Sequence, residues 1–414
     1  MTLKTQILSY ASINILNASV PFLLLPILTK YLSPSDYGLL SLIQLLMLAS
    51  LPIILMNTHA LLTIEYSKVS TERFQALLST IIWIPIVSFI FLELIFLIFN
   101  SSIIKYFHIP MEYLYLIPLF VLFQAIPTIV PIVFQAKRDP LNFGKYKITM
   151  TLMNITLSLL FILYFAYGWE GRLYGIILSL ILFTFIGLIV LYRINLLVFK
   201  VELTLLKSAL QFGVPLIPHS IAGILLSMSD RVFLVNMLGE DAVGVYSVAF
   251  QIASAITIIM TSINQAWAPN LYEKLNRNPT HKEKIKIVKT TYKIMTLMIL
   301  ITLIFLAIIP FLYNIFINNT YYEGKTLSRF IVIAFLFQGF YFMVANYILY
   351  SKKTKILSYI TVTSVFLVWL LSYFLMPIYG VLASAYIILI IWLFQFLVTF
   401  YISNHIYSMP WTLK

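Results

Sequence analysis

Residues 75–99 read QALLSTIIWIPIVSFIFLELIFLIF, a run in which Glu93 is the single charged side chain. A helix needs about 20 mostly apolar residues to cross the hydrocarbon core of a bilayer, so this run predicts a membrane-spanning helix. The whole chain is similar, because 61% of its 414 residues are apolar and 10% are charged, against about 45–50% and about 25% in soluble domains. The composition predicts an all-α, polytopic membrane protein and excludes a large water-soluble enzyme.

Twelve runs of this kind divide the chain, and each is long enough to cross a bilayer as a helix. Short connections rich in Pro, Gly, Asn and Asp separate them. The absence of cysteine excludes disulfides and thiolate metal sites. The predicted spans are residues 7–30, 38–64, 75–99, 112–135, 145–167, 172–193, 208–238, 241–268, 291–317, 326–349, 355–376 and 379–402.

The connections between spans predict the orientation in the membrane. With the N-terminus inside, the inner segments hold 21 of the 27 Lys and Arg residues, the outer segments hold five, and Arg231 lies within a span. This asymmetry follows the positive-inside rule and predicts cytoplasmic N- and C-termini. It also accounts for the net charge of +13, and no RNP, KH or zinc-finger motif indicates a nucleic-acid partner.

The two halves of the chain resemble each other at an offset of 205 to 206 residues. The stretch 31–41, YLSPSDYGLLS, aligns with 237–247, MLGEDAVGVYS, and 174–179, YGIILS, aligns with 379–384, YGVLAS. We therefore predict two six-helix bundles related by internal duplication, residues 1–206 and residues 207–414. Parallel repeats of this kind are frequent in secondary transporters, which carry substrate between the repeats.

Polar side chains inside spans are the candidate functional residues, because charges in hydrocarbon cost several kcal/mol unless they face a cavity or a partner. In span 7, His219, Gly223, Ser227 and the pair Asp230 and Arg231 follow helical spacing and predict one polar stripe. Spans 5, 6, 11 and 12 are more uniformly apolar and are expected to pack outside against lipid. The further candidates are Lys30 in span 1, Gln44, Asn57 and His59 in span 2, Glu93 in span 3, and Gln251 and Gln265 in span 8.

Each of these residues also has a structural interpretation, because polar side chains often join membrane helices by hydrogen bonds. Asp230 and Arg231 are adjacent and therefore about 100° apart on a helix. Each is expected to need a different partner, and substrate binding and a clamp between helices both remain open for the pair.

Motifs for catalysis are absent from the sequence. The five His residues form no HExxH motif, and no G-x-S-x-G motif or Walker ATPase domain is present. We therefore expect a transporter rather than an enzyme, with no catalytic residues, no metal site and no cofactor. ATP hydrolysis within this chain is not the expected driving force.

Three stretches carry a family resemblance: 32–41, LSPSDYGLLS, after span 1; 229–234, SDRVFL, in span 7; and Gly239 with 244–247, GVYS, around the start of span 8. In these motifs, in length and in the duplication, the chain resembles the polysaccharide-transporter family of O-antigen flippases (Wzx type). That family belongs to the multidrug, oligosaccharidyl-lipid and polysaccharide exporter superfamily.

The resemblance implies a V-shaped twelve-helix bundle in the bacterial inner membrane. It would move undecaprenyl-diphosphate-linked oligosaccharide from the cytoplasmic to the periplasmic leaflet by alternating access, for O-antigen and lipopolysaccharide biosynthesis. The implied partners are this lipid-linked oligosaccharide, the bilayer, H+ or Na+ as driving ion, and polysaccharide polymerase and chain-length proteins.

The resemblance also implies roles for residues. Arg231 beside Asp230, with Lys30 as a second cation and His219 on the same path, would face the diphosphate. Neutral groups would bind the sugar, and a further set would carry the coupling ion. The sugar-binding set is Gln44, Asn57, Gln251 and Gln265, and the ion-coupling set is Asp230, Glu93 and His59.

Two other functions stay open. A cation-coupled drug exporter of the same superfamily usually has a buried acidic group early in the chain, where this sequence has neutral polar residues and Lys30. A membrane polysaccharide polymerase typically has a long periplasmic loop with arginines, whereas the outer connections here are short.

The topology prediction can be tested with reporter fusions. Fusions placed after Arg138 and after Lys284 should both report the cytoplasmic side, because both positions fall in basic inner segments. Reporters active on opposite sides of the membrane would contradict the twelve-span arrangement.

Overall fold

The computed structural model of the protein describes residues 3–66, 68–198, 200–351, 353 and 355–412, with side chains except at 3–11, 14, 15, 18, 20 and 219. Within these ranges the secondary structure is helical, without a strand. The first nine helices are α1 (Leu3–Tyr31), α2 (Pro34–Ile54), α3 (His59–Glu65), α4 (Thr71–Ile98), α5 (Asn100–Phe107), α6 (Met111–Leu114), α7 (Ile117–Ala136), α8 (Pro140–Leu159) and α9 (Gly168–Arg193). The others are α10 (Leu203–Gly213), α11 (Ile217–Met228), α12 (Asp230–Leu238), α13 (Glu240–Asn276), α14 (His281–Phe316), α15 (Gly324–Tyr350), α16 (Lys355–Tyr379) and α17 (Leu382–Ile406).

The helices confirm the predicted fold class, an all-α polytopic membrane protein. When adjoining short helices are joined, eleven stretches of the described chain are long and apolar enough to cross a bilayer. The first helix, α1, is 29 residues long and contains the remaining predicted span. Each of the twelve predicted spans thus corresponds to a helix or to a group of consecutive helices.

Span 2, predicted as one helix over residues 38–64, is interrupted in the structure. The helix α2 ends at Ile54 and α3 begins at His59. Two causes act together. Pro52 lacks the amide hydrogen that a helix needs, and Met56 and Asn57 adopt the left-handed backbone conformation, with φ of 46° and 50°.

Span 7, predicted over residues 208–238, is also interrupted. A 3-10 turn that contains Pro215 separates α10 from α11, and Ser229 separates α11 from α12. The expected polar stripe does not continue through the second break, because Gly223 and Ser227 are exposed whereas Asp230 is buried. The helical spacing assumed for this span was therefore wrong beyond Met228.

The helices form two compact units. Unit 1 comprises Met1–Leu24 and Asp36–Met228, and unit 2 comprises Leu25–Ser35 and Ser229–Lys414. Within unit 1, α9 packs against α7 and α8, and α3 packs against α7; within unit 2, α15 packs against α13 and α17. The duplication boundary at residue 206 concerns repeated sequence and stays a prediction.

A close backbone approach in unit 2 explains part of the repeated motif. A Cβ atom added to Gly244 in α13 would overlap the backbone carbonyl of Pro34. Two residues earlier, the carbonyl of Leu32 accepts a hydrogen bond of 2.9 Å from the hydroxyl of Tyr321. The LSPS stretch is therefore held against α13 by its backbone, and a glycine is required at the point of contact.

Gly244→Ala should destabilise the protein by about 1–3 kcal/mol, because a backbone atom stands where the methyl group would be. Gly223→Ala is the matched control, since a Cβ there meets nothing within 4 Å. Thermal unfolding in detergent checks both variants. Equal unfolding temperatures for the two would contradict the close approach.

Candidate functional site

A buried ion pair stands at the start of α12 in unit 2. Asp230 and Arg231 are 7% and 5% exposed, and the Arg231 Nη1 atom lies 3.7 Å from Asp230 Oδ1. The same Oδ1 accepts a 2.9 Å hydrogen bond from the backbone N–H of Arg231. On its other side, Asp230 Oδ2 accepts a hydrogen bond from the Tyr246 hydroxyl. The carboxylate is therefore fully engaged within α12 and α13.

The guanidinium of Arg231 is less completely engaged. Its Nε donates to the Ser247 hydroxyl at 3.3 Å, and its Cζ lies 5.0 Å from the ring centroid of Phe250 and 5.5 Å from that of Tyr246. These are distances of cation–π contacts. Among the described residues, Nη1 has no hydrogen-bond partner. We call Asp230, Arg231, Tyr246, Ser247 and Phe250 the 230–231 cluster.

Each residue of the pair was expected to need a different partner, and each has one, since Asp230 accepts from Tyr246 and Arg231 donates to Ser247. The two side chains also approach each other, which their offset of about 100° on a helix did not predict. Asp230 occupies the first position of α12, and the Arg231 side chain is long enough to turn back toward it. The separation of 3.7 Å is nonetheless longer than the 2.7–2.9 Å of a charge-assisted hydrogen bond. We call this contact a loose ion pair, because Arg231 Nη1 approaches Asp230 without donating a hydrogen bond to it.

Two of the predicted polar residues of span 2, Asn57 and His59, lie at or next to the break between α2 and α3, where it meets the end of α10. Asn57 is buried, and its Nδ2 donates to the Ser220 hydroxyl at 3.0 Å. A Cβ added to Gly213, at the end of α10, would overlap the carbonyl of Met56. His59 is half-buried, and its Nδ1 has no hydrogen-bond partner within the described chain.

The remaining predicted side chains differ in exposure. Lys30 is exposed, with its Nζ 5.6 Å from the ring centroid of Tyr31. Gln44 and Gln265 are exposed, and Gln251 is half-buried. The side chain of the predicted residue His219 lies outside the described residues.

The three predicted ion-coupling residues are divided between the two units. Asp230 belongs to unit 2, whereas His59 and Glu93 belong to unit 1. Glu93 is half-buried, and its Oε2 atom has no hydrogen-bond partner among the described residues. In the described part of the chain, no three His, Asp or Glu residues are grouped so that they could hold a metal ion.

One polar network was missed in the sequence. Arg172, assigned there to an outer connection, lies in α9, and its Nη1 donates to Asn154 Oδ1 at 2.7 Å and to Ser158 Oγ at 2.5 Å. Asn154 Nδ2 in turn donates to Ser179 Oγ at 3.2 Å. Spans 5 and 6 are thus joined by polar contacts. The signal was present, because Asn154 and Ser158 are four residues apart and Arg172 and Ser179 are seven apart, each pair on one helical face.

Solved structures with a similar fold are membrane transporters. An inward-facing multidrug resistance MATE family transporter of the MOP superfamily matches with a TM-score of 0.71 and 13% identity, over 94% of each chain. An outward-facing one matches with a TM-score of 0.60 and 14% identity, over 97% of this chain and 95% of that chain. At these identities the likeness shows the fold.

Two curated relatives come from Haemophilus influenzae. A protein of the Lsg locus is 25% identical over 358 residues, which is 83% of this chain and 84% of the relative. An uncharacterized membrane protein is 23% identical over 354 residues, which is 83% of each chain. A model described as MatE matches residues 215–374.

The two family models, together with the spans, define the class as a multi-pass membrane transporter of the multidrug, oligosaccharidyl-lipid and polysaccharide exporter superfamily. A model described as polysaccharide biosynthesis protein matches residues 3–274, well over half of the chain. The chain belongs to this polysaccharide transporter family.

Tyr246→Phe should destabilise the protein by about 1–3 kcal/mol, because Asp230 Oδ2 loses a donor and stays buried. Tyr359→Phe is the control, since Tyr359 is 73% exposed. The measurement is thermal unfolding of both variants in detergent. If the two variants unfold at the same temperature, the hydroxyl does not hold Asp230.

Proposed function

We propose that the protein is a flippase for undecaprenyl-diphosphate-linked oligosaccharide, which it moves from the cytoplasmic to the periplasmic leaflet of the bacterial inner membrane by alternating access. The observation that carries this proposal is Arg231, a buried guanidinium with a free donor. Arg231 belongs to a chain that matches the family model described as polysaccharide biosynthesis protein. Both termini are proposed to be cytoplasmic.

The diphosphate of such a substrate is the natural ligand of a guanidinium, which can donate two parallel hydrogen bonds to phosphate oxygens. Arg231 can donate to an anion while it stays beside Asp230, because its Nη1 atom lies 3.7 Å from Asp230 Oδ1 and forms no hydrogen bond. The aromatic ring of Phe250 would continue to support the cation. In this proposal the guanidinium of the loose ion pair binds the anionic group of the substrate.

The glycan would be bound by neutral side chains. Gln251 follows Ser247 by one helical turn on α13, and Gln265 lies further along the same helix. Asn57 stands at the meeting of two interrupted spans, and broken helices are frequent at the substrate sites of transporters. Gln44 would complete the set. Lys30 and His219 are proposed to line the same path.

Transport in this proposal is coupled to an H+ or Na+ gradient, with Asp230, Glu93 and His59 as the carriers. The free polar atoms of Glu93 and His59 support this assignment, because a buried polar atom without a partner is costly unless it binds something during the cycle. The exported units would feed O-antigen or lipopolysaccharide biosynthesis, with polymerase and chain-length proteins as partners.

A cation-coupled drug exporter is the second candidate. The MatE match over residues 215–374 includes the whole 230–231 cluster and favours this alternative. An exporter of cationic drugs would depend on the carboxylate of Asp230, whereas a flippase for a diphosphate would depend on the guanidinium of Arg231. Ethidium efflux that is lost in Asp230→Asn would support the exporter.

Arg231→Gln should lower export of lipid-linked oligosaccharide by about 10- to 150-fold. This factor corresponds to the free energy of a hydrogen bond to a charged group, which the variant loses. Arg231→Lys should retain part of the export, because the charge remains and the two-pronged geometry is lost. Leaflet-specific labelling of lipid-linked repeat units is the measurement. A strain without the protein should accumulate these units on the cytoplasmic leaflet.

A double variant separates substrate binding from a clamp between helices. Arg231→Gln alone leaves Asp230 buried without its countercharge, which destabilises proteins by about 3–5 kcal/mol. Asp230→Asn combined with Arg231→Gln removes both charges and should restore protein levels without restoring export. If the double variant regains export together with folding, the pair is a clamp and the proposed role of Arg231 is wrong.

A further inference from the structure

A pocket of about 260 Å³ lies in unit 2, where α13 ends and α14 begins. The two helices that form it are both long enough to cross a bilayer, and the pocket therefore opens at one end of two spans. Its walls carry Lys274, Arg277, Glu283 and Lys286, together with Ile287 and Thr290. The surrounding segment belongs to the most basic connection of the sequence, which the proposed transport does not use.

The carboxylates around this pocket are already engaged. Glu283 accepts hydrogen bonds from the backbone N–H of Thr280 at 2.7 Å and from its hydroxyl at 2.9 Å, which caps α14. Glu273 pairs with Arg277 at 2.5 Å. Among the described residues, neither Lys274 nor Lys286 forms an ion pair. Lys286 attracts the Glu283 carboxylate without forming an ion pair with it, so both ammonium groups keep hydrogen-bond donors for an anion.

Aromatic side chains flank the basic walls of the pocket. Lys274 Nζ lies 5.3 Å from the Trp267 ring centroid. One helix turn and a half beyond Lys286, the Tyr292 hydroxyl donates to the Trp411 carbonyl at 2.7 Å. Trp and Tyr are enriched where hydrocarbon meets the lipid headgroups. This combination is typical of a site beside the headgroup layer.

An apolar stripe leads from the pocket along α14. From Lys286, steps of four, three, four, three and four residues reach Thr290, Lys293, Leu297, Leu300 and Ile304, so this helical face carries one more exposed lysine before it becomes apolar at Leu297. The last three are 49%, 52% and 61% exposed. Leu297 lies about 16 Å from Lys286 along the helix axis at 1.5 Å per residue. A lipid with its phosphate at Lys286 could reach Leu297 with an acyl chain, whereas a free phosphate at Lys286 could not.

We propose that this pocket binds the headgroup of an anionic phospholipid from the surrounding bilayer. Lys274 and Lys286 hold the phosphate, and the acyl chains lie along the Leu297, Leu300 and Ile304 stripe. Basic pockets between membrane helices bind anionic headgroups by this combination of charge and apolar contact. The site is separate from the 230–231 cluster and does not depend on what the protein transports.

The test uses the purified full-length protein and native mass spectrometry. Phosphatidylglycerol and phosphatidylcholine with identical chains are titrated into the wild type, into K274Q/K286Q and into K282Q/K289Q. The last variant removes two lysines from the same segment that do not line the pocket. At about fivefold per lysine, K274Q/K286Q should weaken phosphatidylglycerol binding about 25-fold. Phosphatidylcholine binding should not change, and K282Q/K289Q should stay near the wild type.

Two results would overturn the proposal. Equal weakening in both double variants would assign the preference to diffuse surface charge rather than to the pocket. Displacement of phosphatidylglycerol by millimolar inorganic phosphate, or equally tight binding of glycerol phosphate without acyl chains, would make the pocket a site for a soluble anion. Thermal unfolding of each variant controls for folding, and glycan export is not part of the readout.

Discussion

Inside a bilayer no water is available to replace a missing partner, and every buried charge and backbone group must be satisfied by the protein itself. The 230–231 cluster is where this constraint is most demanding. Asp230 is held from three sides by Arg231, Tyr246 and a backbone N–H, and the arginine is supported by Ser247 and two rings. The start of α12 and the first turns of α13 are fixed in relation to each other by these contacts.

The same constraint explains where irregular backbone occurs. The breaks at 55–58 and 214–216 lie together in unit 1, where Gly213 contacts the carbonyl of Met56 and Asn57 bonds to Ser220. Interrupted helices expose backbone groups that lipid cannot satisfy. At the first break these groups bond within their own turns, the Met56 N–H to the Ile53 carbonyl and the Thr58 N–H to the Leu55 carbonyl. The shared location of the two breaks makes Asn57 a stronger candidate than its sequence alone indicated.

Hydropathy and charge in the sequence were sufficient to predict the all-α class and the membrane spans, because span length and apolar composition are set by the bilayer. Periodicity was reliable only within continuous helices. It failed at Ser229, where a break in the helix changes which face the next residues occupy. It also could not reveal that the Arg231 side chain contacts Asp230. Arg172 was missed because its position near the end of a span was interpreted as a connection, although Asn154 and Ser158 already formed a matching polar face.

The membership of α1 in both units has a consequence for how the chain can be divided. Residues 25–35 belong to unit 2, where Leu32 and Pro34 contact Tyr321 and Gly244, and residues 203–228 belong to unit 1. A fragment that begins at residue 207 would lack residues 25–35, which belong to unit 2. It would also carry residues 207–228, which belong to unit 1. Each half of the sequence thus contributes a segment to the compact unit that the other half mostly forms, and co-expressed fragments would have to exchange these segments rather than fold independently.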